Sequence, residues 1–264
     1  MMDLGLKGKL ALVTASSGGI GEAIARVLAG EGVRVIVSGR SQESVEKAQT
    51  RIRNAVSNAD LLSLVGDLGT AAGAEVAIAA FPDVDILVNN LGIYEAKPFA
   101  EIPDEDWQRL FDINVMSGVR LSRHYLPRMI ERNSGRIIFI SSESGVQIPP
   151  EMVHYGMTKS CQLAIARGMS EWTKGTKVTV NTVMPGPTLT EGVEAFIAGM
   201  DEAGAADEAA QRRFIQTHRN TSLTQRLGDP VEIGATVAFL ASQWAGSTNG
   251  AAVRAEGGLL RSLV

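Results

Sequence analysis

Cysteine, histidine and net positive charge are all scarce in this chain. A single cysteine, Cys161, in 264 residues leaves no internal disulfide framework and fits a reducing compartment. The three histidines, His124, His154 and His218, are too scattered to suggest a metal site. A formal net charge of −4 argues against a nucleic-acid-binding surface, which needs a basic patch. No run approaches the roughly 18 apolar residues of a membrane span. The opening MMDLGLKGKLALVTASS lacks a charged-then-apolar leader pattern, and its short apolar run leads straight into a Gly-rich turn. Linkers, low-complexity tracts and repeats are missing as well. The expectation is one soluble, cytoplasmic domain over residues 1–264, with no metal and no nucleic-acid or membrane partner.

What remains is a strong core signal. Hydrophobic residues make up 45% and charged residues 20%, enough for a sizeable core and against disorder. Candidate strands are Lys9–Thr14, Arg34–Gly39, Leu61–Gly66, Asp85–Asn89, Gly135–Ser141, Lys177–Val183 and Ala251–Ala255. Helical patterns lie near 20–30, 42–56, 70–80, 104–132, 153–173 and 230–242. Near-continuous apolar strands alternating with helices predict an α/β fold: a doubly wound parallel sheet of about seven strands, with helices on both faces. Asp229-Pro230-Val231-Glu232 reads as a helix start, with Asp as N-cap, Pro first and Glu third. Residues 187–226 break the alternation and read as a helical insertion, a lid, before the last helix–strand unit.

Three features carry chemistry. Tyr155 and Lys159 stand one turn apart on one helical face, with Ser142 thirteen residues upstream at the end of an apolar run. Thr14-Ala15-Ser16-Ser17-Gly18-Gly19-Ile20-Gly21 joins the first strand to the first helix. Small residues there let the backbone approach a pyrophosphate, and the helix N-terminus offers free N–H groups. The second strand ends in Val37-Ser38-Gly39-Arg40-Ser41. An Arg at that place, where an acid would hold a ribose hydroxyl, favours a 2′-phosphate and so NADP over NAD.

These motifs, in this order, resemble the short-chain dehydrogenase/reductase family, and in particular its 3-oxoacyl-ACP-reductase-like members. The resemblance runs from Lys9 to about Gly258. The family's phosphate turn matches residues 14–21, its adenine-side acid Gly66-Asp67-Leu68, and its N-N-A-G motif Asn89-Asn90-Leu91-Gly92. Its helix Asn matches Asn114, its Ser Ser142, its Y-x-x-x-K pair Tyr155 and Lys159, and its P-G motif Pro185-Gly186, followed by Thr188 and Thr190. Three positions depart from the pattern. Ala15 stands for the first Gly, which a methyl tolerates readily only at negative φ. Leu91 stands for Ala, and Gly18 occupies a position often basic in NADP-dependent members.

The resemblance implies a Rossmann-type fold and hydride transfer between NADP(H) and a carbonyl or secondary alcohol, with NAD as the other candidate cofactor. Tyr155 would exchange the proton, Lys159 would lower its pKa and hold the ribose, and Ser142 would bond the substrate oxygen. Asn114 would hold a water that relays protons through Lys159. The cofactor would lie against Ser16, Ser17, Gly19, Ile20, Arg40, Asp67, Leu68, Asn90, Gly92, Tyr155, Lys159, Pro185, Gly186, Thr188 and Thr190. A homotetramer or homodimer is the implied assembly. Tyr94, Glu95, Glu143, Gln147, Ile148 and the insertion, with Val193, Phe196, Ile197, Met200, Phe214 and Ile215, would meet a medium-sized, partly hydrophobic ketone. The alternatives are a nicotinamide-nucleotide-binding regulatory protein without turnover, and a scaffold without cofactor.

Overall fold

A computed structural model describes residues 3–200 and 207–263. Seven strands form one parallel sheet: β1 (Leu10–Val13), β2 (Arg34–Gly39), β3 (Leu61–Val65), β4 (Ile86–Asn89), β5 (Arg136–Ile140), β6 (Thr179–Pro185) and β7 (Ala252–Ala255). Their order is β3-β2-β1-β4-β5-β6-β7. Side chains alternate across the pleat, and both faces are apolar. Ala11, Val13, Val35, Val37, Val88 and Ile138 fall on one side, packed on α1 (Gly19–Gly30), α2 (Gln42–Ala55) and α9 (Pro230–Ala241). Leu12, Ile36, Leu87, Ile137 and Phe139 fall on the other, packed on α3 (Ala71–Ala80), α5 (Ser117–Glu131) and α6 (Val153–Ser170). This is the expected doubly wound arrangement. No helix among the described residues is long and apolar enough to cross a membrane.

The strand order reverses between β1 and β4, so the loops after these strands splay apart and open a crevice. Every motif singled out above lies on the loops at this end of the sheet or on the helices that follow. The Asp229 cap also forms as expected: its side chain and that of Glu232 close a capping box, a motif contributing about 1 kcal/mol.

One element differs from its expectation. The pattern over 104–132 is not one regular helix. It divides into α4 (Asp104–Phe111), a π-helical turn over Asp112–Met116, and α5. A π turn inserts one extra residue into a helix, and such turns gather at functional sites. Asn114 sits in it.

The insertion folds into α7 (Glu191–Met200) and α8 (Glu208–His218); residues 201–206 of the expected segment lie outside the described residues. Ile197, Ala210, Phe214, Ile215 and Leu227 make a small apolar cluster of their own, with Val193, Phe196 and Met200 at its margin. The helical spacing therefore serves mainly to pack the two helices on each other. Val193, Phe196 and Phe214 also reach the crevice.

Candidate active site

The crevice widens into a cavity of about 370 Å³, running from the N-terminus of α1 to the insertion. Its floor at the α1 end is backbone. Gly18, the residue before α1, offers no side-chain cap, so the first N–H groups of the helix face outward. A side chain at Gly18 would meet nothing within 4 Å. At Gly21 a Cβ would lie 2.3 Å from the Ala15 carbonyl oxygen, so only glycine lets the turn fold so tightly. Asn90 ties the turn to β4: its Nδ2 donates to the carbonyls of Thr14 at 2.9 Å and Ala15 at 3.2 Å. Ala15 itself has φ +51°, a left-handed conformation that disfavours a side chain.

The expected cofactor residues divide into two groups. Gly19, Ile20, Asn90, Gly92, Tyr155, Lys159, Pro185, Gly186, Thr188 and Thr190 line the cavity. Ser16 instead staples β1 to β2: it is fully buried, donates to the Val13 carbonyl at 2.7 Å and accepts from the Ser38 N–H at 2.8 Å. Ser17 offers its carbonyl to Arg51 at 3.0 Å. Asp67 is exposed and accepts from the Gly69 N–H at 3.0 Å, while Leu68 is buried in the core. Arg40 is exposed just past β2, with no hydrogen bond or ion pair among the described residues.

At the other end Ser142, Tyr155 and Lys159 converge. The Ser142 hydroxyl donates to the Glu143 carboxylate and accepts from the Ser144 N–H at 3.1 Å. Lys159 Nζ lies 5.6 Å from the centre of the Tyr155 ring and donates to the Ile140 carbonyl at 2.9 Å. Burial pulls the Lys159 ammonium down to about 8, and Glu143 only partly offsets this. The Tyr155 phenol is pushed above its ordinary value, first by burial and then by the Glu143 charge, with the neighbouring Ser142 hydroxyl acting the other way. This corrects the expectation that Lys159 depresses the phenol. In the protein alone, desolvation and a nearby carboxylate outweigh any help from a cation that is itself losing charge.

Asn114 is buried and its side chain is fully engaged. Oδ1 accepts from the Ile93 N–H at 2.8 Å, and Nδ2 donates to the Ile93 carbonyl at 2.9 Å and to Thr158 Oγ1 at 3.0 Å. Its main-chain carbonyl accepts from Gln162 Nε2 at 2.6 Å, and Gln162 Oε1 accepts from Lys159 Nζ at 3.3 Å. Asn114 and Lys159 are thus joined by a protein side chain. The signal was present in the sequence, since Gln162 stands one turn beyond Lys159 on the same face of α6.

The substrate end mixes apolar and charged groups. Tyr94, Met152, Val193, Phe196 and Phe214 form its walls. Tyr94 sets its ring edge-on to Tyr155 at 6.1 Å and to Phe196 at 5.8 Å. Glu143 is buried beside Ser142, and its Oε1 accepts from Arg219 Nε at 2.9 Å. Met152 was not among the expected residues, and Arg219 lies in the expected insertion but outside the apolar positions singled out there. Glu95 turns away to His154 Nε2, at 3.1 Å, and Arg109. Gln147 and Ile148 are exposed outside the cavity lining.

Comparison with known proteins matches this arrangement. The sequence model of the family described as short chain dehydrogenase covers residues 9–200. The chain belongs to the short-chain dehydrogenase family. The oxidoreductase YvaG of Bacillus subtilis is 49% identical over 99% of this chain and 100% of its own length. The 3-oxoacyl-[acyl-carrier-protein] reductase FabG of Vibrio cholerae is 31% identical, over 97% of this chain and 99% of its own. Among solved structures, L-sorbose reductase of Gluconobacter frateurii, complexed with NADPH and L-sorbose, superposes with a TM-score of 0.90 at 29% identity, covering 99% of this chain and 100% of that one. A short-chain dehydrogenase of this kind is an oxidoreductase.

Proposed function

We propose that this family member is an NADP(H)-dependent carbonyl reductase or alcohol dehydrogenase in which Tyr155 exchanges the proton. One observation carries the reading: the Tyr155, Ser142 and Lys159 side chains meet on a cavity whose far end is the uncapped start of α1. The cavity suits a dinucleotide. Free N–H groups and an open Gly18 leave room for a pyrophosphate, and unpaired Arg40 beyond β2 suits a 2′-phosphate. The solved L-sorbose reductase, which holds NADPH, supports the same choice.

A bound dihydronicotinamide supplies the hydride. The chain supplies the rest. Tyr155, held protonated by burial and by Glu143, donates its proton to the oxygen that gains charge. Lys159, with a pKa near 8, keeps its positive charge at neutral pH and stabilises the phenolate left behind. Asn114 and Gln162 hold Lys159 in place. Ser142 bonds the substrate oxygen once its hydroxyl turns from Glu143. In the oxidative direction each proton step reverses.

The walls suit a neutral, medium-sized, partly apolar ketone. Tyr94, Phe196 and Phe214 give apolar contact, and Glu143 repels a free carboxylate beside the reacting carbon. Family membership also implies a homotetramer or homodimer, which light scattering on the purified protein measures. The deciding assay follows NADPH and NADH oxidation in parallel over neutral aromatic and aliphatic ketones, acyl thioesters, free sugars and keto acids. Turnover of neutral ketones with NADPH supports the reading. Turnover confined to keto acids or free sugars overturns the substrate class. Cofactor binding with no turnover on any carbonyl favours a regulatory protein instead.

A further inference from the structure

Among the described residues, the Glu143–Arg219 pair is the one buried ion pair that opens directly on the reacting centre. Glu143 Oε2 accepts from the Ser142 hydroxyl, and Oε1 accepts from Arg219 Nε at 2.9 Å. Both side chains are nearly sealed from solvent, with 4% and 9% of their surface exposed, and both line the cavity. Arg219 follows the last residue of α8, so the cation is brought to Glu143 by the insertion rather than by the sheet. It is also held there by its own contacts. Nη1 donates to the His218 carbonyl at 2.8 Å, Glu151 stands 3.8 Å away, and the guanidinium lies 5.9 Å from the centre of the Phe214 ring.

A buried pair of this kind is not needed to hold two helices. Apolar residues of similar volume usually serve as well, because desolvation offsets most of the attraction. The placement next to Ser142 gives the pair another use. We propose that Glu143 and Arg219 are positioning residues for proton exchange: Glu143 sets the direction of the Ser142 hydroxyl, and Arg219 sets how much of the Glu143 charge Tyr155 feels. The proposal rests on the hydride-transfer reading above.

The groups facing Tyr155 come from four places. Lys159 shares its helix, Tyr94 comes from the loop after β4, Glu143 from the loop after β5, and Arg219 from the end of α8 with Glu151 behind it. His154, beside it in sequence, turns to Glu95 instead. Glu143 raises the Tyr155 pKa and Arg219 lowers it. With the insertion docked, Arg219 offsets part of the Glu143 charge at the phenol, and the carboxylate remains the stronger of the two. If Arg219 were drawn away, the carboxylate would act unopposed, holding Tyr155 more firmly protonated and the Ser142 hydroxyl more firmly to itself. Docking of α8 therefore eases proton exchange at Tyr155.

The titration that tests the pair needs no substrate. The chain has three tyrosines, Tyr94, Tyr125 and Tyr155. Protein labelled with 3-fluorotyrosine therefore gives three fluorine resonances, and the one lost in Tyr155→Phe is assigned. Its pH titration is followed in the NADP⁺ complex of the full chain. Glu143→Gln lowers the Tyr155 midpoint by about one pH unit, Arg219→Met raises it by less, and the double variant stays below the parent, near Glu143→Gln. Midpoints that stay put, or move in the same direction in both single variants, overturn the proposal. A role confined to holding the insertion would lower thermal stability in both without opposed shifts. Should Arg219→Met fail to fold, Arg219→Gln removes the charge but keeps a hydrogen-bond donor toward Glu143, and its midpoint too lies above that of the parent. Retained turnover in Tyr155→Phe would sink the hydride-transfer reading. Fixed midpoints alongside an inactive Tyr155→Phe would sink only this one.

Discussion

Lys159 Nζ lies 5.6 Å from the centre of the Tyr155 ring, one helical turn along α6, and it is the weaker acid's partner only while it stays charged. Burial brings its pKa from 10.5 to about 8. Below about 8 it is an ammonium and steadies the phenolate formed as Tyr155 gives up its proton. Above about 8 that help is lost. The rate of carbonyl reduction at saturating NADPH is therefore expected to be flat at neutral pH and to fall as pH rises through about 8. A reduction rate that climbs from pH 7 to 9 would contradict the role given to Lys159. Substitution by Arg, which stays charged throughout, should remove the fall from whatever activity remains.

Tyr155→Phe isolates the proton. The ring and its edge contact with Tyr94 remain, so the walls of the cavity are kept. What disappears is the hydroxyl. Loss of a general acid lowers turnover by about 100- to 10,000-fold. NADPH affinity, measured by fluorescence titration, should stay within about threefold of the parent, less than one charge-assisted hydrogen bond would account for. Near-normal turnover would remove Tyr155 as the acid.

The sheet and the Tyr155–Lys159–Ser142 group were legible in the sequence because each has a strong local signature. Seven apolar runs predict seven strands, and all seven pair in parallel. The turn at 14–21 and the Tyr–Lys spacing depend on residues close in the chain. What was hidden depends on contacts across it. Arg219 meets Glu143 from 76 residues away, and no period or motif brings them together. The π turn at Asn114 was hidden for another reason, since it is a single turn inside one long helical pattern and has no residue signature of its own. The Tyr155 pKa was misread because spacing shows that a cation is near but says nothing of how dry the site is.

Arg40 separates the two nicotinamide cofactors. It stands exposed just past β2 with no partner among the described residues, so its charge is available to a phosphate and its removal disturbs nothing else. Arg40→Asp replaces attraction with repulsion of a 2′-phosphate and offers a carboxylate to a 2′-hydroxyl. A charge-assisted hydrogen bond contributes about 1.5–3 kcal/mol, so the NADPH-to-NADH ratio of kcat/KM should fall by at least about tenfold. An unchanged ratio would place the discrimination elsewhere. Thermal stability without cofactor should not move.

Ala15 tests the phosphate turn without touching a polar group. Its φ of +51° is one that an alanine side chain resists and a glycine adopts freely. The strain is held in place by Asn90, which bonds the Ala15 carbonyl, and by the Ala15 N–H, which donates to Ser38 Oγ at 2.9 Å. Ala15→Gly relieves that strain but adds freedom to the unfolded chain, and the two effects oppose each other. Left-handed strain is the larger, so the variant should gain up to about 1 kcal/mol. Thermal unfolding of the cofactor-free protein reads this directly as a Tm raised by a few degrees. A lowered Tm would mean that the methyl is packed favourably enough to outweigh its backbone strain. Gly21→Ala is the opposing control. Its new Cβ would fall 2.5 Å from Asn90 Nδ2 as well as onto the Ala15 carbonyl, so Tm and NADPH affinity should drop together.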